Sequence, residues 1–187
     1  MGNITGSNGV PVESTNSFRL KVSSVGGEFD VFQNLDMGKV WSVSFEGINP
    51  VGAGDYFFYF ENVGAEMVGF KDIRLSCSTA TGRVDLRVVT GTPTFTAGVD
   101  LTPLSRNLGT SPLLGAAVKS DTNVTGLTDV GRLFFQDLPV VDTTYVQQFE
   151  STVVIPPGKA VALQWSAATG EISGVVTVIA LPPAGEI

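Results

Sequence analysis

Apolar and polar residues alternate with a period of two along most of the chain. In Lys39–Glu46, Trp41, Val43 and Phe45 fall on one side and Ser42, Ser44 and Glu46 on the other. Asp72–Ser78 sets Ile73, Leu75 and Cys77 against Asp72, Arg74, Ser76 and Ser78, and Arg83–Val89 sets Val84, Leu86 and Val88 against Arg83, Asp85 and Arg87. A period of two filled with β-branched and aromatic residues predicts half-buried strands. Further strands are predicted at Phe18–Val22, Phe29–Phe32, Arg132–Phe135, Gln147–Ile155, Ala160–Ser166 and Glu171–Ile179. Gly, Asn and Pro clusters at Gly26-Gly27, Ala80-Thr81-Gly82, Pro156-Pro157-Gly158 and Ala168-Thr169-Gly170 separate them as turns. The last of these predicts a hairpin between the two closing strands. A helical turn or two is expected around Pro112–Lys119, with Pro112 at a first helical position. About nine short antiparallel strands joined by long connections predict an all-β sandwich of jelly-roll type.

Two stretches break the alternation. Tyr56-Phe57-Phe58-Tyr59-Phe60 carries aromatics on both sides of one strand, and Val175–Leu181 is apolar on both sides apart from Thr177. A strand wetted on neither face is covered twice, by its own core and by something else. Tyr56, Phe58, Phe60, Val175 and Ile179 are therefore the expected subunit interface; a loop or arm of the same chain folded over that face is the alternative. Thr90–Gly131 is rich in Thr, Gly, Ser, Asn and Pro without a sustained period. It is expected to be one long irregular excursion, lying on a neighbouring subunit or mobile at the surface. Residues 1–17 are polar and form an expected N-terminal arm, leaving 18–187 as one domain.

Composition sharpens this picture. The 187 residues hold 43% hydrophobic but only 16% charged side chains, against roughly 25% in an average domain. So little charge suggests that part of the surface is covered by other chains. The formal net charge of -7, from 11 basic and 18 acidic residues, disfavours direct nucleic-acid or anionic membrane binding, which both draw on clustered Lys and Arg. The start has no basic and apolar leader, Gly6 stands where a myristoylation motif needs Ser or Thr, and no apolar run spans a bilayer. The chain is expected to be made soluble in a cytoplasm.

Candidate chemistry is sparse. The sequence has no His and one Cys, which removes His-dependent nucleophile systems and most zinc and iron–sulfur ligation. Cys77 fits a small buried hydrophobe. Gly52-Ala53-Gly54 is a turn rather than a phosphate cradle. Asp121-Thr-Asn123-Val-Thr125-Gly126 begins like a calcium loop, but Arg132 stands where the bidentate Glu belongs; a looser site on Asp121 and Asn123 is the residual reading. Glu46, Asp55, Glu61, Glu66 and Asp72 are the carboxylates through which a glycoside hydrolase would have to work, though solvated surface groups describe them better. Asn3 and Asn123 begin sequons that need a secretory route to matter. Trp41 and Trp165 would make a sugar platform if exposed; their apolar strand faces place them in the core. No cofactor or metal is expected.

The segments Gly91–Ser111, Asn123-Val-Thr-Gly126 and Val154-Ile-Pro-Pro-Gly-Lys-Ala-Val-Ala-Leu163, with the closing Thr-Gly turn, resemble small structural proteins of tailed bacteriophage virions. The resemblance covers about residues 88–180. It implies a jelly-roll protein, typically trimeric, that decorates capsids or forms short fibres. The expected partners are then other copies of the chain and a major capsid or other virion protein, with the virion as its place. A tail or head fibre binding host glycans is the alternative.

Overall fold

A computed structural model describes residues 39–79, 81–107, 113–167 and 169–181. The expected arm at 1–17 and the expected strands at Phe18–Val22 and Phe29–Phe32 lie outside them. The described chain forms eleven strands and no helix: β1 (Val40–Ile48), β2 (Tyr56–Asn62), β3 (Met67–Cys77), β4 (Gly82–Thr94), β5 (Val99–Asp100), β6 (Leu104–Ser105), β7 (Ala116–Ser120), β8 (Thr125–Leu138), β9 (Tyr145–Ile155), β10 (Ala160–Trp165) and β11 (Ile172–Leu181). They make two antiparallel sheets, β6-β1-β11-β3-β9 and β5-β7-β2-β10-β4-β8.

Eight of these strands pair in four couples: β1 with β11, β2 with β10, β3 with β9 and β4 with β8. The numbers of facing residues add to nearly the same total throughout, from Val40↔Ile179 and Glu61↔Ala160 to Val68↔Ile155 and Gly82↔Leu138. The chain is thus a two-stranded ribbon folded back at the β4–β8 end and rolled so that successive couples fall in alternate sheets. That winding is the jelly roll.

Between the sheets lie Trp41, Val43 and Phe45 of β1, Ile73, Leu75 and Cys77 of β3, and Val84 and Leu86 of β4. These are the apolar sides read from the alternation. Both tryptophans are in this core, Trp41 at 2% exposure and Trp165 at 0%.

Three expectations are corrected. Ala160–Trp165 and Ile172–Leu181 do not pair as a hairpin; β10 lies between β2 and β4, whereas β11 lies between β1 and β3. The intervening turn is a corner between sheets, closed by Trp165 Nε1 donating to Thr169 O at 3.1 Å. Gly170 (φ +150°) fits there because a Cβ would sit 3.0 Å from the Trp165 ring. Pro112 lies outside the described residues, and Ala116–Ser120 is strand β7 rather than helix, since it pairs with β2 on one side and β5 on the other. Thr90–Gly131 is less irregular than expected: among the described residues its two ends extend β4 and β8, and it contains the short strands β5, β6 and β7. Gly91 and Gly126 let the ribbon's backbones close up there, for a Cβ on Gly91 would lie 2.5 Å from Gly126 O.

Candidate functional site

The greasiest strand is spent inside the molecule. Leu163 faces Phe58 and Gln164 faces Tyr56, so Phe57 is an extra residue in a β-bulge. The bulge turns both Phe57 and Phe58 into the core, where the Phe45 ring meets them at 5.8 and 5.3 Å. Phe60 packs edge-on against Phe70 at 5.2 Å. Phe57, Phe58 and Phe60 are 0% exposed, and none retains surface for a partner.

The other side of β2 is covered by the same chain. Tyr59 and partly buried Tyr56 join Val89, Ala160, Ala162 and Val124 in a second apolar cluster under Phe95 and Leu127. Tyr59 meets the Phe95 ring at 6.2 Å, and Lys119 Nζ lies 4.9 Å from that ring's centre. Asp121 fastens this cover: Oδ2 accepts from the N–H of Thr96 at 2.6 Å and of Ala97 at 3.3 Å, and Oδ1 from that of Thr122 at 2.6 Å. Its carboxylate is therefore a loop clasp, not the start of a calcium loop. No group of three or more His, Cys, Asp or Glu side chains among the described residues is arranged to hold a metal.

Ile179 is also 0% exposed, and Val175 is partly buried beside Ser44 and Arg74. Phe58, Phe60 and Ile179, expected at a subunit interface, are thus buried within the single chain. A bulge and a folded-over segment supply within one chain the two coverings that a doubly apolar strand requires.

The exposed apolar surface is elsewhere. Twelve large hydrophobic residues are exposed among those described, and seven belong to one flank: Val130, Leu133 and Phe135 on β8, Val140 and Val141 in the following turn, and Val146 and Val154 on β9. β8 and β9 end their respective sheets on the same side, joined by the Phe134 ring standing edge-on to Phe149 at 5.2 Å. Among the described residues β8 and β9 each pair on one side only, and exposed apolar side chains on such edges are the kind of surface that another chain covers. Register shifts in the β4–β8 pairing leave Leu133 and Val130 as extra residues, between Leu86 and Arg87 and between Val88 and Val89. Such bulges prevent a flat edge from recruiting strands indiscriminately.

Charge is concentrated beside it. Asp85, 3% exposed, is ringed by Arg83 (2.8 Å), Arg87 (3.0 Å) and Arg132 (3.5 Å), and Arg87 also pairs with Asp129. Arg83 and Arg132 lie over the Phe135 ring at 5.6 and 5.1 Å from its centre. The cluster sets two guanidinium groups against a half-exposed aromatic ring.

The candidate carboxylates are each held by a local partner or exposed. Asp72 is buried, contrary to expectation, because Thr177 Oγ1 donates to it at 3.1 Å and Arg74 Nε at 3.3 Å. Asp55 accepts from Gly52 N–H at 2.6 Å in a turn, Glu61 accepts from Tyr59 O–H at 3.1 Å, Glu66 pairs with Lys39, and Glu46 is exposed. Burial, reinforced by Glu61, pushes the Tyr59 hydroxyl above its ordinary range.

The sequence reading missed the flank, although a signal was present. Leu133-Phe134-Phe135 is apolar on both sides of a strand, just as Tyr56–Phe60 is.

No protein-family model and no curated protein matches the chain. A solved structure described as "KBV activated particle at acidic pH" aligns with 94% of this chain and 85% of its own, at 12% identity and a TM-score of 0.22. A likeness at that score carries no argument about fold or function. No helix among the described residues is long and apolar enough to cross a membrane.

Proposed function

We propose that this protein is a virion structural protein, a homotrimeric capsid decoration or cement protein that bridges coat subunits through its β8–β9 flank. The observation that carries the reading is that seven of the twelve exposed large hydrophobic residues among those described lie on β8, on β9 or in the turn between them. The jelly-roll winding, the 16% charged composition and the resemblance of residues 88–180 to phage virion proteins support it. The residues that would meet a sister chain or coat protein are Val130, Leu133 and Phe135, with Arg83 and Arg132 at the rim. Both tryptophans are buried, so neither would supply the aromatic shelf of the glycan-binding alternative.

Light scattering of the purified chain at micromolar concentration and sedimentation with capsids test this reading. The unsubstituted chain is expected to be oligomeric and to cosediment. Leu133→Asp with Phe135→Asp is expected to reduce capsid binding at least tenfold while the denaturation midpoint stays nearly unchanged. A monomer that ignores capsids overturns the proposal.

A further inference from the structure

The bulge at Leu133 also sets the spacing of side chains on the outward side of β8. Arg83, Asp85 and Arg87 alternate with the core residues Val84 and Leu86, so they share the outer face of their sheet with the residues across the ladder from them. Those residues are Asp137 opposite Arg83, Phe135 opposite Asp85 and Arg132 opposite Arg87. Because Leu133 is the extra residue, Arg132 and Asp137 stand equal steps of the ladder away from Phe135, one on each side, about 7 Å each. All three are open to solvent. Phe135 is 47% exposed, the Arg132 side chain 41%, and Asp137 is exposed.

Charge on this face is balanced but unevenly used. Arg83, Arg87 and Arg132 stand against Asp85, Asp129 and Asp137, three of each sign, on a chain whose net charge is -7. Two copies can therefore meet here without the repulsion that the rest of the chain imposes. Arg83, directly across from Asp137, turns to Asp85 at 2.8 Å, and Arg87 is held by both Asp85 and Asp129. Arg132 is the outlying cation, 3.5 Å from Asp85, and Asp137 has no ion pair among the described residues. A partner of a single sign would satisfy one of these two ends and be repelled by the other. A cation, an aromatic ring and an anion at even spacing are complementary to the same pattern reversed.

We infer that the outer side of β8 docks antiparallel on the same side of β8 in a second copy of this chain, about a two-fold axis at Phe135. Phe135 then meets Phe135 of the partner subunit, and Arg132 meets Asp137 of the partner subunit, so each ion pair forms twice. The contact is made by side chains and needs no added strand pairing. A two-fold contact cannot close a ring of three, so in the trimer proposed above it joins one trimer to the next. The inference rests on the reading of the β8–β9 flank as an assembly surface and names the occupant of its β8 side.

The test exchanges charges in the full-length chain and reads association by light scattering, where the unsubstituted chain is expected to form particles with an even number of copies. Arg132→Asp sets like charges against each other at both ends of the contact, as does Asp137→Arg, and each alone is expected to weaken the two-fold association about tenfold or more. An equimolar mixture of the two variants again sets opposite charges together at both ends and is expected to restore it. Arg132→Asp also faces Asp85, so circular dichroism checks its fold, and Phe135→Cys gives a second measurement that does not depend on it. A short bismaleimide is expected to join two chains carrying Phe135→Cys but not unsubstituted ones, whose Cys77 is buried. With both charge variants folded, a mixture that associates no better than either alone overturns the inference, as do single reversals without effect. Trimers that go no further and give no cross-link overturn it and leave the β8–β9 reading standing; monomers overturn both.

Discussion

β2 and the β8–β9 flank contain similar side chains and have opposite fates. β2 holds five aromatics in succession, and every one is taken up by its own chain, three in the core and two beneath Phe95 and Leu127. β8 has Leu133-Phe134-Phe135, and only Phe134 turns inward; Leu133 stays 50% and Phe135 47% exposed. The difference is position. β2 sits between β7 and β10, where both faces can be covered, whereas β8 ends its sheet. Apolar content along a strand therefore measures how much covering it needs, and its place in the sheet decides whether the same chain supplies it.

The largest effect should come from β2. Phe60→Ala removes a fully buried ring that packs on Phe70 and should lower unfolding free energy by about 3–5 kcal/mol, read by urea denaturation. If Phe60→Ala instead left stability intact while dispersing oligomers, β2 would be the interface after all. Next is Asp85, whose removal leaves Arg83, Arg87 and Arg132 facing one another. Asp85→Ala should lower stability by about 2 kcal/mol, less than for a fully buried pair because two of the guanidiniums are half in water. It should also weaken capsid binding by releasing the arginines that flank Phe135. Full binding by a destabilised Asp85→Ala would show that the flank works without this clamp.

The smallest effect concerns pH. The Tyr59 hydroxyl titrates higher in the folded chain than the ordinary value near 10. The unfolded chain ionises first as pH rises, so the stability this group contributes is full below pH 10 and falls above it. Tyr59→Phe should flatten that alkaline decline in a denaturation series. An unchanged slope would show that the cover over β2 admits water.

The core was legible because burial on one face imposes a period of two: Trp41, Val43 and Phe45, or Ile73, Leu75 and Cys77, could hardly have faced outward. The jelly-roll class followed from strand number and turn signals. The fate of Tyr56–Phe60 was not legible, since nothing local reveals that Phe57 is a bulged residue or that Phe95, thirty-five residues beyond Phe60, returns to cover Tyr59. The β10–β11 turn misled for a similar reason. A short Gly-containing connection suits a hairpin and a corner equally, and only the demand of β1 and β3 for a strand between them decides the matter. The flank was illegible because strand order, which makes β8 and β9 edges, is a property of the whole winding.

The ribbon arrangement also sets a schedule for a chain made from its N-terminus. Val40 finds its partner in Ile179, 139 residues later, so on a ribosome adding roughly 5–20 residues per second β1 waits of the order of ten seconds or longer. Throughout that delay Trp41, Val43 and Phe45 have no β11 to lie beside. Of the described strands, the first to emerge is among the last to be sheltered, which leaves its apolar side open to clumping while the rest is made.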